Sequence, residues 1–441
     1  MYTHKRPLIQ TELPGPKAKA LLERDAKRMS TSYIRPFPFV PEKGEGAWIW
    51  DVDGNLFLDV MAGIAVNTTG YAHPRVVEAV RRQAEAFQHV CFSDFTSEPQ
   101  LSLAERLVEK LGGGYRVYFG NSGTEAVEAA IKIVRYHTRR PYIIAFTGAF
   151  HGRTMGSLSL TASNSKYRRG FAPLLPGVVH LPFPHPYRPP LGAPPEAAGT
   201  AVLEHLEHLF KTSLPPDEVG AVFIEPIQGE GGYVVPPEGF LKGLRELTER
   251  HGILLVADEV QTGAGRTGKF LAVEHEGVQP DIVVLAKGLA SGYPISAVLF
   301  REELSSWTPG AHGTTFGGHP VAAAAAHATL DLLEEGLMEN AREVGAFLLR
   351  AFEELKAKYP RLGDVRGRGL MIGLDFVKDP ETREEDPELR DRVANRAFAK
   401  GLLNLPAGPS TIRIAPPLIL SREEAQIAVE ILDEAIAEAL V

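Results

Sequence analysis

The sequence holds one cysteine, Cys91, among 441 residues. No intrachain disulfide and no cysteine-based zinc site can form from it, and such a chain suits a reducing compartment. Long apolar runs are absent too. No stretch approaches about 18 uninterrupted apolar residues, which argues against a helical membrane span. The first residues, from Met1 to Pro7, lack the apolar run of a secretory signal, so a soluble, cytoplasmic protein is expected. Positive charge is not in excess. Lys and Arg total 47 against 55 Asp and Glu, for a net charge of −8. A general nucleic-acid binder needs a basic surface to displace counterions, so that class is disfavoured, as is a membrane partner. Repeats and low-complexity tracts are missing. Apolar residues at 44% and charged residues at 23% match an ordinary globular chain with a sizeable core.

What is present is a long alternation of strand-like and helix-like segments. Residues 1–45 are broken by prolines, with one helical stretch over 16–27. Residues 47–59 read as a β-hairpin whose two apolar runs flank Asp53-Gly54-Asn55. His73-Pro74 opens a helix to about Phe87. Between 100 and 300, seven short apolar runs stand at 117–119, 142–146, 178–181, 219–224, 253–257, 282–286 and 295–300. Several are continuously apolar, as strands covered on both faces are. The pattern predicts a mostly parallel, doubly wound α/β sheet with ligands beyond the carboxyl ends of its strands. Residues 171–200, with nine prolines, read as an excursion loop. A helical pattern runs from 320 to about 358 with a break near Gly336. An α+β tail follows, with strands at 369–376 and 411–414 and helices at 387–400 and 422–437.

Three strand ends carry chemistry. Phe119-Gly120-Asn121-Ser122-Gly123-Thr124-Glu125 leads from a strand into a helix. Free N–H groups at a helix start bind phosphate, although Ser122 or Thr124 can equally be a plain helix cap. Asp258 follows a buried run, where a carboxylate needs a cation: a protonated ring nitrogen, or a structural ion pair. Lys287 closes another apolar run. Burial there lowers an amine's pKa and frees it to attack a carbonyl, while a lysine snorkelling from the strand end is the alternative. Taken together, a phosphate cup, an acid and a lysine suit pyridoxal 5′-phosphate. Asp258 and Lys287 stand 29 residues apart, one strand–helix–strand step.

Six ordered blocks then show a resemblance: residues 121–126 (NSGTEA), 148–154 (GAFHGRT), 224–232 (IEPIQGEGG), 258–263 (DEVQTG), 285–288 (LAKG) and 313–318 (GTTFGG). From about residue 15 onward the chain resembles the class III pyridoxal-phosphate aminotransferases, of fold-type I architecture. The resemblance implies a large domain, 66–315, with a mostly parallel seven-stranded sheet. It also implies a small α+β domain built from 316–441 and the joining segment 1–65. It assigns Ser122, Gly123 and Thr124 to the phosphate, Phe150 and Val260 to the two faces of the ring, and His151 and Gln261 to the cofactor's surroundings. Asp258 becomes the partner of the ring nitrogen. Lys287 becomes the residue that bonds the cofactor and moves the substrate proton. Thr315 becomes a phosphate ligand given to a second subunit, implying a homodimer or a dimer of dimers.

For the substrate, the resemblance assigns Arg153 to the carboxylate remote from the reacting amine and Arg413 to an α-carboxylate. Glu225 is expected to mask Arg413 when an ω-amino acid binds. A guanidinium suits both tasks through paired hydrogen bonds. Ile64 stands where ornithine-specific relatives carry tyrosine, which resembles the 4-aminobutyrate-type enzymes. The implied activity is ping-pong transamination from an ω-amino acid to 2-oxoglutarate. The alternatives are an amino-acid racemase, of the archaeal-type branch that Leu13-Pro14-Gly15-Pro16 and residues 34–38 resemble, and an acetylornithine/ornithine-type aminotransferase. A non-catalytic binding protein on the same fold is disfavoured by the intact Lys287 and Asp258. No metal is expected, because His73, His89, His151, His312 and His319 lack ligand spacing on any helix.

Overall fold

The computed structural model describes residues 6–441. Its centre is a seven-stranded sheet in the order Tyr115–Gly120, Ser296–Arg301, Ile282–Leu285, Leu254–Asp258, Val219–Ile224, Tyr142–Phe146, Val178–Leu181. Ser296–Arg301 runs antiparallel to both neighbours; the other adjacent pairs are parallel. All seven runs expected from the sequence are strands, and the sheet is mostly parallel.

The continuous apolar runs follow from burial on both faces. Successive side chains of a strand point to opposite sides. Ala221 and Phe223 join one core cluster with Ala126, Ala130 and Ile133 of the helix Gly123–Thr138, whereas Val222 and Ile224 join the other with Phe240, Leu244 and Leu247 of Phe240–Arg250. Neither face meets water, so no polar alternation is needed. Each large aliphatic side chain buried this way contributes roughly 1.5–3 kcal/mol relative to exposure.

The helix after the first strand begins at Gly123, where Ser122 caps it by accepting from the Glu125 N–H at 3.4 Å. The long pattern from 320 is two helices, Pro320–Leu332 and Met338–Lys358. The break is a wide turn where Gly336 takes φ 154°, a conformation closed to residues with a Cβ.

The two chain ends meet. The hairpin strands Trp48–Asp51 and Leu56–Asp59 extend one small sheet in which Leu402–Leu403 lies parallel to Leu56–Asp59. A second sheet has the order Leu362–Arg368, Met371–Phe376, Thr411–Ile414, Leu405–Ala407. Its outer strand Leu362–Arg368 was not expected: Asp364, Arg366 and two glycines give it little strand propensity. Its backbone is held by six pairings to Met371–Phe376 and by the ion pairs of Arg366 to Asp364 and Asp375.

Candidate active site

A cavity of about 450 Å3 lies at the carboxyl ends of the large sheet. Each strand exit contributes what its sequence supplies there. Ser122, Gly123 and Thr124 come from the end of Tyr115–Gly120. Asp258, Val260 and Gln261 come from the end of Leu254–Asp258, and Lys287 from just past Ile282–Leu285. Phe150, His151, Arg153 and Glu225 complete the group expected from the sequence. The expected residues Ile64, Thr315 and Arg413 do not line the cavity.

The floor is a buried ion pair. His151 Nδ1 donates to Asp258 Oδ2 at 2.7 Å, and the Val260 N–H donates to Asp258 Oδ1 at 3.1 Å. Burial opposes an imidazolium, but the hydrogen bond and charge of Asp258 outweigh it and hold His151 above its ordinary pKa. The pair fixes where the Asp258 charge sits, pinned between a side chain and its own turn.

Lys287 begins a short 3-10 turn at φ 43°, a left-handed conformation that a non-glycine residue adopts only when its surroundings enforce it. Burial lowers its pKa, partly opposed by Glu230 and reinforced by Arg413. The shift is toward the neutral amine, the form that can act as nucleophile and base.

The substrate end differs from expectation in one respect. The acid on Arg413 is Glu230, not Glu225: Arg413 Nη1 donates to Glu230 Oε1, and the two side chains are 5% and 18% exposed. Glu225 faces elsewhere because the backbone claims it. Its carboxylate accepts from the Phe150 and Gly229 N–H groups, both at 2.9 Å. Burial pushes the Glu225 carboxyl up to about 7, helped by the charge of Asp258 and opposed by His151 and the two N–H groups. Glu230 shows the reverse. Burial works to raise it, but the charges of Arg413, Lys287 and Arg153 and its hydrogen bond to Arg413 hold it below the usual carboxylate range. Arg153 itself lies 5.0 Å from the Phe150 ring centroid and 4.7 Å from that of Tyr167, a cation–π arrangement that aims it over the cavity wall.

The Aminotransferase class-III family pattern matches residues 29–436. The chain belongs to the class III aminotransferases. It is 46% identical over 444 residues to the alanine/serine racemase of Pyrococcus horikoshii, covering 98% of this chain and 93% of that one. It is 41% identical over 385 residues to a probable 4-aminobutyrate aminotransferase of Bacillus subtilis, covering 86% and 88%. An amine transaminase from an uncultivated Pseudomonas species, solved in its PLP-bound form, superposes with a TM-score of 0.88 at 36% identity over 93% of this chain and 98% of that one.

Pyridoxal 5′-phosphate is the cofactor of this class III aminotransferase, and the donor set fits it. The first N–H groups of the 16-residue helix Gly123–Thr138 face the cavity and carry partial positive charge suited to a phosphate. Gly123 keeps that approach open, since a Cβ there would stand 3.0 Å from Val260 Cγ1. Thr124 offers its backbone N–H; its hydroxyl is shared with Ser157 at 2.6 Å and Thr154 at 2.7 Å. Gln261 is oriented by the Tyr233 hydroxyl, which donates to its Oε1 at 2.8 Å. His151 Nε2 is buried with no partner, a polar atom left for the site's occupant or a water.

Besides Arg413, two expected residues do not line the cavity of their own chain. Thr315 is exposed. Ile64 is half-buried on a four-residue left-handed turn, with φ of 49°, 62°, 69° and 57° for Ala62, Gly63, Ile64 and Ala65. A β-branched residue in this region marks enforced strain, and the turn presents Val66 to the cavity. Sequence reasoning missed Glu230, Tyr233 and the lining residue Tyr293. The available signal for Glu230 was a lone charge among the glycines of 229–232.

Proposed function

We propose that this aminotransferase moves the amino group of an ω-amino acid of the 4-aminobutyrate type to 2-oxoglutarate, in two half-reactions at one site. The observation that carries the reading is the buried contact in which Arg413 Nη1 donates to Glu230 Oε1, with Arg153 as the second guanidinium near that acid. With Glu230 on Arg413, one free guanidinium, Arg153, remains for the distant carboxylate of an ω-amino acid. A 2-oxo acid bearing two carboxylates needs Glu230 to leave Arg413, and the vacated guanidinium then takes the α-carboxylate. One pocket thus serves two amine-to-carboxylate distances.

The cofactor supplies an aldehyde and an electron-withdrawing ring. Asp258 keeps a negative charge at the ring nitrogen, and His151 holds that charge in place. Phe150 and Val260 confine the ring between them. Lys287, its pKa lowered by burial, moves the proton between the substrate Cα and the cofactor C4′. Thr315, exposed on its own chain, serves the site of a second copy, so the working unit is a homodimer in the cytoplasm. Among the described residues no helix is long and apolar enough to cross a membrane. The parallel pairing of Leu402–Leu403 with Leu56–Asp59 supports grouping 1–65 with 316–441 beside a large domain of 66–315.

An amino-donor panel against 2-oxoglutarate and pyruvate tests the reading. Turnover of 4-aminobutyrate or a near homologue with 2-oxoglutarate is expected; turnover of α-amino acids alone would refute it. The 46% identity to a protein named as an alanine/serine racemase favours a second reading. Incubation with a single L-amino acid and no oxo acid separates the two: D-isomer appearing without conversion of the cofactor to its amine form supports racemisation.

A further inference from the structure

One arginine outside the cavity touches both the turn that carries Glu230 and the strand that carries Arg413. Arg366 lies on the unexpected strand Leu362–Arg368, with its side chain 10% exposed. Its Nε and Nη2 donate to the Gly232 carbonyl at 3.1 and 2.6 Å, and Nη2 also reaches Thr411 Oγ1 at 3.0 Å. Its Nη1 donates to Asp364 Oδ2 at 2.7 Å and Asp375 Oδ2 at 2.9 Å. Gly232 lies two residues after Glu230, in a turn closed by its own N–H to the Gly229 carbonyl at 3.1 Å. Thr411 lies two residues before Arg413 on Thr411–Ile414, so the two side chains share one face of that strand. The contact between turn and strand is tight. A Cβ on Gly232 would stand 3.1 Å from Thr411 Oγ1 and 3.3 Å from Arg366 Nη2, at a φ of 117° that already favours glycine. A second tether, the Gly408 N–H to the Glu230 carbonyl at 2.8 Å, holds the same turn.

We propose that Arg366 is a positioning residue for carboxylate selection: by clamping the Gly232 turn to Thr411 it holds Glu230 on Arg413 and sets how hard an α-carboxylate must compete. The inference rests on the two-carboxylate pocket proposed above. Only a planar fork can do this. One guanidinium reaches a carbonyl, a hydroxyl and two carboxylates in fixed directions, whereas a lysine ammonium is a single point on a flexible stem. Arg366 touches neither cavity nor cofactor, so its influence passes through the turn. Loss of its side chain leaves Asp375 paired, because Arg188 Nη1 and Ser410 Oγ both donate to it at 2.5 Å. The Arg366→Met chain therefore keeps Asp375 paired, while Asp364, 17% exposed, loses its partner.

The test compares two ligands by calorimetry, on enzyme with and without cofactor. Glutarate has two carboxylates and must displace Glu230; butyrate has one and needs only Arg153. Arg366→Met and Arg366→Lys are each expected to bind glutarate about tenfold more tightly than the parent, with butyrate unchanged within about twofold. The half-reactions follow suit: KM for 2-oxoglutarate falls about tenfold while its kcat holds. In a Glu230→Gln background the Arg366 effect disappears, because nothing remains to be held in place. Equal changes for both ligands, no change, or a full effect surviving in the Glu230→Gln background each overturns the clamp. Should Arg366→Met fail to fold, Arg366→Lys keeps the charge and still lacks the fork. A parent enzyme that binds butyrate as well as glutarate, and equally so after Glu230→Gln, overturns the two-carboxylate pocket and the clamp with it.

Discussion

Replacing Glu230 with glutamine removes one charge from the Glu230–Arg413 pair, proposed to select which substrate end reaches Arg413, and keeps its shape. Two unit charges about 4 Å apart attract by roughly 4 kcal/mol at an effective dielectric near 20. The Glu230 side chain is 18% exposed against 5% for Arg413, so solvent screens part of this, leaving about 2 kcal/mol. That corresponds to about thirtyfold in affinity for a carboxylate that no longer competes with Glu230. Glu230→Gln is therefore expected to lower KM for 2-oxoglutarate by about thirtyfold. It should raise KM for 4-aminobutyrate by about tenfold, because an unmasked guanidinium now stands beside the donor. Rapid-mixing measurements of the two half-reactions, each at varied substrate concentration, read both numbers separately. Arg413, Lys287 and Arg153 hold Glu230 below the usual carboxylate range against the effect of burial. The parent pair thus stays charged across neutral pH, and the comparison holds from pH 6 to 8, about the working range of such assays. Equal changes in both half-reactions, or weaker 2-oxoglutarate binding in the variant, would refute the assignment of Glu230 to Arg413.

Further outcomes follow from other residues. Lys287→Ala should keep the fold by circular dichroism yet lose turnover and the visible absorbance of lysine-bound cofactor; retained turnover removes Lys287 from its role. Arg153→Met should raise KM for an ω-amino acid by about a hundredfold, the worth of a paired guanidinium–carboxylate contact, while amines lacking a carboxylate are unaffected. Measured KM values for the two amine classes that move together would contradict it. The Glu225 carboxyl, pushed by burial to about 7 from its ordinary 4.5, holds a proton in the folded chain that the unfolded chain has released. Its contribution is full below about 4.5 and lost as pH rises through 7. Denaturant titrations at pH 5 and pH 8 should show less loss of stability over that range in Glu225→Gln than in the parent; an unchanged difference counts against this.

Much of the frame was legible because its signals are local. Apolar runs of three to six residues mark strands wherever both faces are covered, and all seven strands of the large sheet stood out for that reason. The break at Gly336 was visible because a residue without Cβ interrupts a helical pattern. Strand Leu362–Arg368 was not visible. Its arginines, aspartate and glycines take strand geometry only once Met371–Phe376 and Asp375 are beside them. The residues that converge on the cavity were legible for a related reason: Asp258, Lys287 and the Gly123 turn each sit at the end of a run, and in this architecture such ends converge.

The sequence by itself determined the family, the cofactor and the residues at the strand ends, because chemistry there is tied to short, ordered blocks along the chain. Tertiary structure alone decided which acid meets Arg413. Glu225 and Glu230 stand five residues apart in a turn with no regular period, so no pattern tells which way either side chain points. The first is captured by the N–H groups of Phe150 and Gly229, and the second is carried to Arg413 by a turn held from below by Arg366 and Gly408. Arg366 and Gly408 lie more than 130 residues further along the chain than Glu230, and only folding brings them to its turn.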